Sequence, residues 1–176
     1  MRVGKRARLT ARRAVTVPLC QCASVPCAPS CLGETNIESL LWLAREGTYM
    51  RESKEIVRAT HQLLEAIDTL LAYDPTLRIA IEPKPNEPMD MAFIPTIGHA
   101  LALGFQAQEP DRVGVLVESA HIVLAGLDPA DDIGFAMACD KLWSVHLNDQ
   151  NGLKFDEDRS FGSVNLRRAF NQVQVM

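Results

Sequence analysis

The sequence predicts an α/β fold built on a parallel sheet. Three observations carry this: short apolar runs without polar alternation, helical-period segments between them, and an acidic or imidazole residue near the close of each run. Strands that are apolar on both faces belong to parallel sheets covered by helices, whereas half-exposed strands alternate.

The elements follow in order. Within 53–73, Ile56, Val57, Leu63, Leu64, Ile67, Leu70 and Leu71 recur at helical spacing with polar residues on the other face. Asp74-Pro75 ends that helix, because a proline disfavours helical backbone in the residue before it. Residues 78–82, RIAIE, read as a buried strand. A second helix is expected over about 95–105, and a second strand over 113–118, VGVLVE. A third helix over about 129–139 leads to a third strand over 142–148, LWSVHLN. A last helix begins near 164–165. This β-α-β-α-β order suits a barrel or a doubly wound sheet.

The chain divides by charge. Six of its 18 basic residues (Arg2, Lys5, Arg6, Arg8, Arg12, Arg13) precede the first carboxylate, Glu34, so all 22 acids fall in the remainder. Residues 1–35 therefore form a basic leader, expected to be irregular, and residues 36–176 an acidic globular body. The leader holds Cys20, Cys22, Cys27 and Cys31, interrupted by Pro18, Pro26 and Pro29. That spacing fits structural zinc poorly, and no histidine lies nearby. The Arg-rich, acid-free start has one feature of a targeting peptide but lacks the long apolar stretch of a secretory signal. Reduced thiols and a cytoplasmic location are the default expectation. The net charge of −4 argues against a nucleic-acid partner. No apolar run approaches the ~20 residues that span a bilayer.

Chemistry gathers at one end of the strands. Glu82, Glu118 and His146 stand near the carboxyl ends of three successive strands, and in a parallel sheet those ends share one rim. Asp156 and Asp158 follow in the loop after the third strand, and His121 lies three residues beyond Glu118. Two imidazoles and four carboxylates suit borderline-to-hard divalent ions such as Mn, Mg or Co. A lone strand-terminal glutamate is often only a solvated charge, and Asp-x-Asp is commonly a turn. Three successive strands ending this way is a stronger signal. His61 reads as an ordinary surface residue, and His99 largely so. In EPKPNEP, Glu82 to Pro88, three prolines stiffen the loop and hold Lys84 on the same side as Glu82. A protonated lysine there can stabilise a developing oxyanion.

EPKPNEP, VESAH at 117–121, and HLNDQNGLKFDED at 146–158 followed by RSFG together resemble the xylose isomerase-like sugar isomerases, most nearly the L-rhamnose isomerase branch. The resemblance covers about 40–170. It implies a partial (β/α)8 TIM barrel, about strands five to seven with flanking helices, and an aldose–ketose isomerase working by a metal-assisted hydride shift. The family holds two divalent ions (Mn, Mg or Co) per site. By resemblance, Glu82, Glu118 and His146 match ligands of the structural ion, with Glu118 bridging. His121, Asp156 and Asp158 match ligands of the catalytic ion. Lys84 matches the lysine that polarises the substrate carbonyl, and Trp42 an aromatic residue that packs against the sugar. A histidine at 146, where typical xylose isomerases have aspartate, favours the rhamnose branch. The implied partner is a small-molecule sugar, and family members are commonly tetramers.

Part of the family pattern has no counterpart. A full barrel takes about 250 residues, and strands one to three, strand eight and its aspartate ligand are not found. The expectation is therefore a fragment that is weakly stable or self-associating and has little or no activity alone. Two other readings stay open: a metal-dependent epimerase or hydrolase on the same barrel, and a non-catalytic metal-binding fragment.

Overall fold

The computed structural model describes residues 39–42 and 55–176. The basic leader with its four cysteines, and the expected helix start at 53–54, lie outside the described residues.

Among the described residues, four short strands form one parallel sheet in the order β1-β2-β3-β4. They are β1 (Ser39–Trp42), β2 (Ile79–Glu82), β3 (Val113–Glu118) and β4 (Leu142–His146). Helix α1 (Ile56–Tyr73) lies between β1 and β2, and α2 (Ile97–Gln106) between β2 and β3. Helices α3 (Ser119–Leu124) and α4 (Pro129–Ala138) lie between β3 and β4, and α5 (Leu166–Val175) follows. A strand order that matches the chain order, with parallel pairing throughout, is the progression of a barrel wall rather than of a doubly wound sheet.

The two faces of the sheet pack differently. Ile79, Ile81, Val113, Val115 and Val117 point to the helices and form the main core with Ile67, Leu71, Ile97, Leu103, Ile122 and Ile133. Each such side chain contributes about 1.5–3 kcal/mol of transfer free energy on burial. The other face carries a small second cluster of Ala80, Leu116 and Trp143 with Leu40 against it. Trp143 is an extra residue in β4: Val115 pairs with Leu142, but Leu116 already pairs with Ser144. This β-bulge lets the indole lie across Gly114, with the Arg78 guanidinium 4.1 Å from the ring centroid. Arg78 and Trp143 thus cover part of this inner face.

Local chemistry explains the element ends. Thr96 caps α2 by accepting from the His99 N–H, Asp128 caps α4 from the Ala130 N–H, and Asn165 caps α5 from the Arg168 N–H. Arg112, in the turn leading into β3, donates to the carbonyls of Leu71, Asp74 and Leu77, satisfying the end of α1. Two differences from the sequence expectation stand out. The first turn of α1 is exposed at Ile56 and Val57, so the packed stripe begins at Leu63. Helix α3 starts directly after Glu118, where periodicity marks nothing because six residues are too few to show a period.

Candidate metal centre

The parallel sheet brings strand ends to one edge, and the register makes neighbours of the residues there: Trp42 is opposite Glu82, and Glu118 is opposite His146. The proline-rich segment leaves β2 immediately after Glu82. Lys84 is fixed there by a backbone hydrogen bond from its N–H to the Ile94 carbonyl. Helix α3 begins on the residue after Glu118, so its first turn carries His121 back toward β2. The loop of 147–165 is clasped at its base by a two-way backbone pair between Asp149 and Arg159. Asp149, buried, also accepts from the Val164 and Asn165 N–H groups and from Arg168, tying that loop to α5.

These elements converge on His121, which is buried. Its Nδ1 is 3.1 Å from the Pro83 carbonyl and 3.4 Å from Glu82 Oε1. A carbonyl can only accept, so the Nδ1–H donates to it. Nε2 lies 3.3 Å from Glu118 Oε1 and also 3.3 Å from Asp156 Oδ2. An imidazole that donates through one nitrogen to a backbone carbonyl and aims the other at two carboxylates is the usual posture of a metal ligand. His146 Nδ1 is 3.3 Å from Glu118 Oε2, but this histidine is half exposed at the rim.

Among the described residues, two groups of side chains have ligand atoms within 4.8 Å of one another: Glu82, Glu118 and His121, and Glu118, Asp156 and Asp158. Glu118 belongs to both. Of the six ligand positions read from the sequence, five fall in these groups, and His146 reaches them only through Glu118. Lys84 is also buried; its ammonium donates to Asp156 at 2.7 Å and Glu87 at 2.9 Å. It stands 5.5 Å from the ring centroid of Trp42, whose own side chain is partly exposed at the mouth.

The electrostatics are those of a site with too little positive charge. Burial and the nearby Glu118 charge push Glu82 well above the carboxylate range. Burial also works against Glu118, but hydrogen bonds from His146, Glu82 and Asn148 and the charge of His121 hold it low. Asp156 is desolvated too, yet bonds with His121 and Lys84 keep it down at about 2. Burial, with Asp156 and Glu118 beside it, raises Asp158. Lys84 remains firmly protonated: its ion pairs with Asp156 and Glu87 outweigh the cost of burial. Asp156 Oδ1 is buried without a hydrogen-bond partner. A buried anionic oxygen without a partner costs free energy. Together with His121 Nε2, which faces Glu118 and Asp156, it makes this donor set fit a divalent cation.

Three partners were not read from the sequence. Glu87 pairs with Lys84. The Pro83 carbonyl orients His121. Asn148, buried, donates to Glu118 Oε1 at 3.0 Å and to Asp158 Oδ1 at 2.8 Å. The N-E-P end of the proline-rich segment was a usable signal for Glu87. A single asparagine in a polar stretch is not one. His61 and His99 are exposed, and His99 bonds Thr96 within α2.

The backbone is similar to that of a D-tagatose 3-epimerase-like protein, with a TM-score of 0.58 at 16% identity, covering 77% of this chain and 51% of that one. It is also similar to 3-keto-D-glucoside 4-epimerase YcjR from E. coli, with a TM-score of 0.53 at 13% identity and the same coverage. The chain is part of a TIM barrel. It spans about half the length of these two proteins. No family model matches the sequence. In this partial barrel the metal-competent side chains sit at the carboxyl-terminal rim, where barrel enzymes keep their active sites. Among the described residues no helix is long and apolar enough to cross a membrane.

Proposed function

We propose that this chain carries the metal-binding rim of an aldose–ketose isomerase of the L-rhamnose isomerase type, whose substrate is a small open-chain sugar. The observation that supports it best is the convergence of Glu82, Glu118, His121, Asp156 and Asp158 around one point, with the buried Lys84 ammonium 2.7 Å from Asp156. When bound, a divalent cation such as Mn, Mg or Co supplies Lewis-acid polarisation of adjacent substrate oxygens.

The chain's own residues have distinct tasks. Lys84 uses two N–H groups on Asp156 and Glu87, and a third is assigned to the substrate carbonyl oxygen, where fixed positive charge favours a developing oxyanion. Trp42 forms an apolar wall beside Lys84 against which a sugar carbon face packs. His121, Asp156 and Asp158 hold the ion expected nearest the reacting carbons, and Glu82, Glu118 and His146 the other. The carboxylates are largely committed: Glu118 to both imidazoles and Asn148, Asp156 to His121 and Lys84, Asp158 to Asn148. Hydride migration needs no protein base at carbon, so it suits such a site better than proton abstraction. The family's tetrameric assembly and the cytoplasmic location expected from the sequence remain part of this reading.

A second reading is favoured by the two structural likenesses, a D-tagatose 3-epimerase-like protein and a 3-keto-D-glucoside 4-epimerase. It makes the same rim part of a metal-dependent epimerase. The two reactions part in heavy water. L-rhamnose, D-xylose and D-allulose, each incubated with the chain and Mn²⁺ in D₂O and followed by NMR, should show any aldose–ketose conversion with the migrating hydrogen retained. Deuterium entering the carbon beside the carbonyl, with inversion, would replace the isomerase by the epimerase. Failure of the chain to bind any divalent cation would defeat both.

A further inference from the structure

Asn148 follows β4 by two residues and is buried between two carboxylates that come from different parts of the fold. Glu118 ends β3, where the sheet fixes its backbone. Asp158 lies on the long loop, exposed, with a left-handed φ of 44°. The amide orientation is determined by a third contact: Asn148 Oδ1 accepts from the Ala120 N–H at 2.7 Å, in the first turn of α3. With the oxygen so placed, the two amide hydrogens face the carboxylates, at 3.0 Å from Glu118 Oε1 and 2.8 Å from Asp158 Oδ1.

We propose that Asn148 is a positioning residue that ties the loop-borne ligand Asp158 to the sheet-borne ligand Glu118 at cation-holding distance; this rests on the metal-centre reading above. Residue chemistry at position 148 is narrowly constrained. Two anionic acceptors and one backbone donor must be met by a single neutral group with two donors and one acceptor, and a primary amide is that group. A lysine would satisfy the carboxylates but compete with a cation for them. An aspartate would repel both. Like-charge repulsion between Glu118 and Asp158 drives the loop away from the strand, and the amide opposes it without adding charge. The centre is then assembled before the cation arrives, so less of the binding free energy goes into ordering the loop.

The test uses the full 176-residue chain and Mn²⁺ alone. Free Mn²⁺ is followed by electron paramagnetic resonance during titration of the unaltered chain, Asn148→Ala, Asp158→Ala and the double variant. Asn148→Ala should weaken the affected ion by about 10–100-fold, the usual effect of removing a group that orients a ligand. Asp158→Ala should do the same. The double variant should be no weaker than Asp158→Ala beyond about twofold, because the amide acts through that carboxylate. Urea midpoints and far-ultraviolet circular dichroism of each variant report folding. If alanine does not fold, Asn148→Ser, which keeps an oxygen for the Ala120 N–H, carries the same expectation. Unchanged affinity in Asn148→Ala or Asn148→Ser, or losses that multiply in the double variant, would overturn the positioning role while leaving the metal centre intact. No Mn²⁺ binding by the unaltered chain overturns the metal centre itself, and the role of Asn148 with it.

Discussion

The indole of Trp143 lies so close over Gly114 that a Cβ at Gly114 would come within 2.2 Å of the ring. No rotation of a flexible tip relieves this, because the near atoms belong to the fused ring itself.

Gly114→Ala is therefore expected to displace Trp143, open the inner cluster and lower stability. Overpacking of this kind costs about 1–3 kcal/mol. Urea denaturation followed by tryptophan emission measures it, and a red-shifted native spectrum should accompany the loss. A variant as stable as the parent, with unchanged emission, would show that the ring does not hold that position.

Lys84→Met removes a buried ammonium and leaves Asp156 and Glu87 facing each other's charge. Breaking a buried pair on one side costs about 3 kcal/mol or more. The urea midpoint in EDTA should fall accordingly, and saturating Mn²⁺ should restore part of it by replacing the missing positive charge. A midpoint that does not move in EDTA speaks against the ion pair.

Added Mn²⁺ or Co²⁺ should raise the thermal midpoint of the unaltered chain, since a ligand at 100 times its Kd contributes about 2.7 kcal/mol. Glu118→Ala should abolish that gain, because Glu118 serves both ligand groups. Asp90→Ala, which breaks a peripheral contact to Lys154, should leave it unchanged. Equal metal stabilisation of the Glu118 variant would place the cation elsewhere.

Asp132 in α4 supplies a pH test away from the rim. Burial, with Asp131 and Asp128 beside it, pushes its carboxyl up to about 6, and one of its oxygens is buried without a hydrogen-bond partner. A folded-state value above the unfolded one means the folded state binds the proton more tightly. The ionised form is thus a penalty, complete above pH 6 and absent below the unfolded value near 3.9. Asp132→Asn should stabilise the protein at pH 8, by about 1 kcal/mol after allowance for solvent screening. The difference between variant and parent should fade by pH 4. A gain independent of pH would assign it to something other than charge.

Asp149 has the opposite sign. Burial opposes its charge, but N–H groups of Asn165, Val164 and Gln150 and the Arg168 guanidinium lower its proton affinity. Its contribution is present above the ordinary carboxylate range and is lost as acid titrates the folded form. Asp149→Ala should free the loop of 147–165 from α5, which limited proteolysis within the loop would register at neutral pH. Unchanged cleavage would deny it that role.

Much of this arrangement was legible in the sequence for a simple reason. Parallel strands bring their carboxyl ends together whatever their separation along the chain, so Glu82 and Glu118 could be placed on one rim from apolar runs alone. The loop carboxylates Asp156 and Asp158 could be nominated from their place after the third strand, but their assignment to one ion came from the motif resemblance, since nothing in an Asp-x-Asp spacing says where a loop folds back. Illegible were the features that depend on three-dimensional neighbours. Helix α3 is too short to have a period. Asn148 looks like any polar loop residue until Ala120 and two carboxylates surround it. The exposure of His146 follows from its place on β4, the last strand in the described sheet, which covers one of its sides only.

The extra residue in β4 has a counting consequence. Leu142 and Val145 both pack against the helix layer. Strict up-down alternation forbids that for residues an odd number apart, so one step in the pleat must be absorbed between them. Trp143 absorbs it, and every later side chain of the strand changes sides. His146 therefore looks inward at Glu118 because the bulge, and not the regular pleat, takes up Trp143. Deleting residue 143 would leave the imidazole facing Glu118, whereas regular pleating with Trp143 retained would turn it toward the helices.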